Sequence, residues 1–103
     1  MPPINLNSDQ TNYQNIPSST SAQTFVADNG NRVGLMIYNN STANLYIAVN
    51  FTATTSDFSI KMAPNGYYEM PRGYYTDEVT GIWDAAEGSA LVTEIITSSH
   101  RPD

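Results

Sequence analysis

The sequence contains no cysteine and a single histidine, His100. The first absence excludes disulfides, thiolate nucleophiles and zinc–thiolate sites together. The second leaves acid–base catalysis with one imidazole, set beside Arg101 and Pro102 in a polar tail that offers nothing to hold it in place. Positive charge is also scarce. Arg32, Lys61, Arg72 and Arg101 are the only basic residues, and ten acidic ones bring the net charge to −6. Neutralising phosphates takes several Lys or Arg on one face, so this balance argues against a nucleic-acid partner. No apolar run approaches the roughly 20 residues of a membrane span, and no basic amphipathic stretch is present, so no membrane partner is expected. The first residues, Met1-Pro2-Pro3-Ile4-Asn5-Leu6, lack the basic and apolar regions of a signal peptide, which sets an expectation of synthesis in a cytoplasm.

Charged residues amount to 14% of the chain, well below the usual quarter, and Asn, Ser and Thr take their place. A surface of neutral amides and hydroxyls suits wide, close contact with neighbouring protein more than long-range capture of a ligand. The 103 residues hold one core, and an unstapled β-domain of this size commonly draws stability from association. No Gly-x-Ser-x-Gly elbow and no glycine-rich phosphate loop occurs, so neither an enzyme nor a cofactor is expected. Asp77, Glu78, Asp84, Glu87 and Glu94 gather in the last third, but their spacing matches no calcium loop. They are expected at solvated turns and strand ends, and no metal site follows from them.

Residues 1–20 carry prolines, Asn, Gln, Ser and Thr with sparse, aperiodic apolar residues, the composition of a flexible or extended polar arm. Within it Ile4 and Leu6, set two apart, are candidate docking points of an added edge strand. From about residue 21 the pattern changes to period two. Strands are expected at 23–26, 32–38, 44–50, 58–62, 67–70, 79–84 and 90–96, separated by Asp28-Asn29-Gly30-Asn31, Asn39-Asn40-Ser41-Thr42, Ala63-Pro64-Asn65-Gly66 and Ala85-Ala86-Glu87-Gly88 as turns. The runs 32–38 and 44–50, joined by a short polar link, read as a hairpin. Trp83 is the one large anchor. The class that follows is all-β: an antiparallel β-sandwich of six to seven short strands over residues 21–96, with a polar tail at 97–103.

The tyrosine-rich stretch from Gly66 to Tyr75 is the strongest candidate for binding. Strand geometry sends one ring of each adjacent pair, Tyr67–Tyr68 and Tyr74–Tyr75, inward and the other outward. Exposed tyrosines with Arg72 make typical protein-interface anchors, because rigid rings lose little entropy on binding. The same rings could stack on sugars. The sequons at Asn39, Asn40 and Asn50 read as turn chemistry.

Residues 32–94 also resemble small structural proteins of tailed bacteriophages. The resemblance is carried by Arg32, Ile37-Tyr38-Asn39-Asn40, Leu45-Tyr46-Ile47, the run Ala63 to Pro71, Gly81-Ile82-Trp83-Asp84-Ala85-Ala86-Glu87-Gly88 and Ala90-x-Val92-Thr93-Glu94. It implies a virion component without catalytic residues. The expected role is a capsid cement, or decoration, protein that binds the major capsid protein and itself, as a homotrimer. A head-fibre base, neck or tail accessory protein is the alternative. The arm lies outside the matched pattern.

Overall fold

The period-two stretches become β-strands, and so does one stretch that lacks the pattern. A computed structural model describes residues 9–70 and 76–97. Its strands are β1 (Asp9–Pro17), β2 (Gln23–Val26), β3 (Arg32–Ser41), β4 (Leu45–Val49), β5 (Ile60–Met62), β6 (Tyr67–Glu69), β7 (Val79–Trp83) and β8 (Gly88–Thr97). They form two four-stranded sheets, β1-β8-β3-β6 and β2-β7-β4-β5, with every ladder antiparallel. The pairs β1–β8, β2–β7, β3–β6 and β4–β5 describe one long hairpin of the whole chain. The β3–β8 and β4–β7 ladders roll that hairpin into two sheets, which is the jelly-roll form of the sandwich. The expected all-β antiparallel sandwich is therefore the observed class, with eight strands rather than six or seven.

The core lies between the sheets. Leu35, Ile37 and Val92 from one sheet meet Phe25, Leu45, Ile47, Val79 and Trp83 from the other, none more than 1% exposed. The Phe25 and Trp83 rings pack at 5.6 Å between centroids. A Cβ at Gly81 would come within 2.4 Å of the Phe25 ring, so glycine here is what lets the ring lie across β7. At the turn expected over residues 63–66, Gly66 N–H donates to the Ala63 carbonyl at 2.8 Å, and Asn65 takes φ +66°. Pro64 followed by a residue with positive φ is the chemistry of a type II turn.

Three sequence expectations are corrected. Residues 9–17 belong to the sandwich, not to a flexible arm. All nine pair with β8, from Asp9 opposite Thr97 to Pro17 opposite Ser89. Composition missed this strand because, of residues 10–17, only Ile16 is buried; the strand is held by its ladder and by Gln14 Nε2 donating to the Phe25 carbonyl at 3.1 Å. Second, β3 and β4 are not a hairpin. They lie in opposite sheets, because both edges of β3 are already taken by β8 and β6. Third, the expected turn at 39–42 starts too early, since Asn39 to Ser41 continue β3. Smaller shifts put Phe58 in a loop ahead of β5 and Thr97 within β8. Ile4, Leu6, Arg72, Tyr74 and Tyr75, and most of the expected tail, lie outside the described residues.

Candidate interaction face

The outer faces of the two sheets are finished differently. In β2-β7-β4-β5, Leu45, Ile47 and Val49 face the core, and Tyr46 and Ala48 point the other way. Those outward residues should be wet, yet Tyr46 is 7% exposed and Ala48 0%. The loop at residues 50–59 covers them. Phe58 packs edge-on against Tyr46 at 5.0 Å, Lys61 Nζ lies 5.7 Å from the same ring, and Ala53 N–H donates to Thr80 Oγ1, which in turn donates to the Phe51 carbonyl. The strands of this sheet are covered by their own chain, although Phe51 and Phe58 of the covering loop are themselves 44% and 37% exposed.

The outer face of β1-β8-β3-β6 is open by comparison. Register sets Asn15, Leu91, Tyr38 and Tyr67 side by side across the four strands. The next row is Tyr13, Thr93, Met36 and Glu69, and a third holds Thr11, Ile95 and Gly34. Tyr13 and Tyr67 are 58% and 55% exposed; Met36, Tyr38, Leu91 and Ile95 are half-buried by their neighbours in the sheet. The only charged side chain in these rows is Glu69. Tyr38 donates to Asn65 Oδ1 at 2.9 Å and Tyr67 to Glu69 Oε1 at 3.1 Å, which ties both hydroxyls to neighbours on the face. Partial desolvation, then the hydrogen bond to and charge of Glu69, raise the Tyr67 phenol above its ordinary value.

Of the sequence candidates, the structure places Tyr67 on this face and turns Tyr68 inward, packed against the core. The alternation expected for that pair is what is seen. Sequence reasoning missed Tyr13, Tyr38 and Leu91. A signal was present: β3 and β8 carry apolar residues at both parities, which a sheet with one wet face does not need.

Beneath the face, two polar devices lock the sandwich. Asn39 is fully buried. Its Nδ2 donates to the carbonyls of Ala43, Met62 and Ala63 within 3.1 Å, and its Oδ1 accepts from Ser41 Oγ at 2.7 Å and Trp83 Nε1 at 3.3 Å. One amide thus ties the crossing between sheets to the main aromatic anchor, and a glycan at this sequon is incompatible with the fold. Arg32, 3% exposed, donates through Nε to Glu94 Oε2 at 2.9 Å, and its other nitrogens reach the carbonyls of Asp77 and Ala27.

The acidic residues do not converge. Glu94 is buried in mid-strand, which corrects its expected place at a solvated position. Glu78 accepts from Thr24 and Glu87 from Thr42. Asp84 accepts from the Asn44 backbone and side chain and from the Tyr46 hydroxyl; the Asn44 side-chain bond leads in holding its carboxyl below the ordinary range, against a smaller opposing effect of desolvation. Among the described residues no group of three or more His, Cys, Asp or Glu is placed to hold a metal ion. An open recess of about 410 Å³ is lined by Asn40, Thr42, Pro64, Asn65 and Glu87, with Thr42 donating to Glu87 and Tyr38 to Asn65 at its rim.

No family model matches the chain, and no curated protein matches it. Among solved structures it is similar to one described in the words "Bacillus endospore appendages form a novel family of disulfide-linked pili". The TM-score is 0.56 at 14% identity, over 91% of this chain and 89% of the other. At that identity the likeness is one of fold.

Proposed function

We propose that this chain is a non-enzymatic structural subunit that works by protein–protein contact within a larger assembly, through the outer face of the β1-β8-β3-β6 sheet. The observation that carries the reading is the contrast between the two outer faces. The chain covers one with its own loop and leaves the other lined by Tyr13, Tyr38, Tyr67, Leu91, Met36 and Ile95. Tyrosines among aliphatic side chains, with a single charge in the same rows, form the kind of surface that neighbouring protein desolvates well.

The specific assembly we favour is a phage head, with the chain as a cement protein fastening major capsid protein subunits by many modest contacts. This rests on the sequence resemblance over residues 32–94. A second reading, a subunit of a surface fibre, is favoured by the fold likeness to the endospore appendage pilus. The chain has no cysteine, so such a fibre would be held without disulfides between these residues. Quantitative mass spectrometry of purified particles tests the cement reading. Copy number comparable with the major capsid protein supports it; absence from heads, or a copy number fitting a neck or tail, overturns it. Spontaneous fibre growth by the purified chain would favour the second reading instead.

A further inference from the structure

The hydrogen-bond parity of β1 shows what its free edge offers. In an antiparallel ladder, residues alternate between exchanging both backbone bonds with the partner strand and pointing both groups away. Ser18 N–H donates to the Gly88 carbonyl at 2.9 Å, one step beyond the last β1–β8 pair. Even-numbered residues of β1 therefore bond to β8, and Thr11, Tyr13 and Asn15 aim N–H and C=O at the open edge. The same parity carried across the sheet requires odd-numbered residues of β3 to bond toward β6. Asn39 N–H to Gly66 O and Met70 N–H to Leu35 O, both at 2.9 Å, meet that requirement. Pro17, which has no N–H, falls in the outward set, where proline costs the ladder nothing. Its carbonyl accepts from Gln23 Nε2 at 3.3 Å.

Among the described residues no strand pairs with this edge. The other three edge strands carry the usual protections against pairing. β2 has four residues and a register shift between Thr24 and Val26; β5 has three residues with exposed Lys61; β6 has three with exposed Glu69. β1 has nine residues in unbroken register and no charge from Gln10 to Ile16.

We propose that β1 pairs with β1 of a second copy of this chain, antiparallel about a twofold axis through Tyr13, joining two sheets edge to edge. Outward groups must meet outward groups, so odd-numbered residues face odd-numbered ones. An axis at Tyr13 sets Tyr13 opposite Tyr13 and Thr11 opposite Asn15, each pair exchanging both bonds. It sets Asp9 opposite Pro17 rather than opposite its own copy, and from Gln10 to Ile16 two chains of net charge −6 meet without a charged residue. An axis at Gln14 would shorten the ladder, pairing Tyr13 with Asn15 and Thr11 with Pro17 and leaving Asp9 beyond the end of the partner strand. The contact is isologous and closed, and it stands whichever assembly the chain serves.

The test is sedimentation of the full chain over a concentration series, with hydrogen exchange at both ends of the series. The wild type is expected to dimerise, with the amides of Thr11, Tyr13 and Asn15 gaining protection as concentration rises. The amides of Asn12 and Gln14 should be protected throughout. A dimer formed face to face would not produce that alternation. Tyr13→Pro removes an outward N–H and leaves the β8 ladder intact, and Tyr13→Lys sets like charges across the axis. Each should weaken dimerisation at least about 30-fold while keeping the wild-type circular dichroism spectrum. A wild type that stays monomeric, a dimer or larger assembly without odd-residue protection, or a Tyr13→Lys variant that dimerises as well as wild type would each overturn the proposal.

Discussion

The two outer faces of this sandwich start from similar material. Each sheet has four antiparallel strands and carries aromatic or aliphatic side chains on its outward side. On the β2-β7-β4-β5 sheet those side chains vanish under the loop at 50–59, and Tyr46 and Ala48 become as dry as the core. On the β1-β8-β3-β6 sheet the corresponding residues stay half-exposed, and Tyr13 and Tyr67 more so. Apolar residues on a sheet's second face therefore do not by themselves mark a binding surface. What marks one is that the chain has covered the other face and not this one.

The comparison can be broken from the inside first. Trp83→Ala should cost about 3–5 kcal/mol by opening a cavity where both sheets meet, measured by urea denaturation. Asn39→Ala should cost about 2–4 kcal/mol, since it removes the acceptor of the buried Trp83 N–H and a donor to the carbonyls of Ala43, Met62 and Ala63. If that variant is nearly neutral, the amide is not the lock between the sheets. Phe58→Ala then separates the faces. It should cost about 1–2 kcal/mol and expose Tyr46, whereas Leu91→Ser on the open face should cost less than about 1 kcal/mol in the free protein and weaken assembly instead. Equal effects of the two on stability would erase the distinction.

The smallest effect is set by pH. Asp84 has its carboxyl pKa lowered in the fold, first by the Asn44 side chain. Its contribution is complete above the ordinary carboxylate value and is lost as pH falls through the lowered one. Asp84→Asn should flatten that part of the acid limb in a stability–pH profile while leaving the neutral region nearly unchanged.

Much of the fold was legible because strands with one buried face write their period into the sequence. Leu45 and Ile47, and Ile60 and Met62, alternate as a sheet packed on a core requires. β1 left no such trace, since an edge strand exposed on both faces needs only backbone partners. Asn39 was illegible for a different reason. Asn-Asn-Ser-Thr has turn chemistry locally, and only the tertiary fold brings Trp83 and the Met62 and Ala63 carbonyls to that amide. The β3–β4 pairing failed likewise, because a strand's partner depends on which other strands compete for its edges. At the candidate face the Tyr67–Tyr68 alternation could be read directly. Tyr13 could not, because its importance comes from lying opposite Thr93, eighty residues along the chain.

Side-chain oxidative footprinting of the free protein and of the protein in its native assembly, read residue by residue, tests the central claim most directly. Tyr13, Tyr38, Tyr67 and Leu91 should lose reactivity on assembly, while Phe51 and Phe58 on the loop-covered side keep theirs. Protection of Phe51 and Phe58 with the tyrosine face left reactive would contradict it.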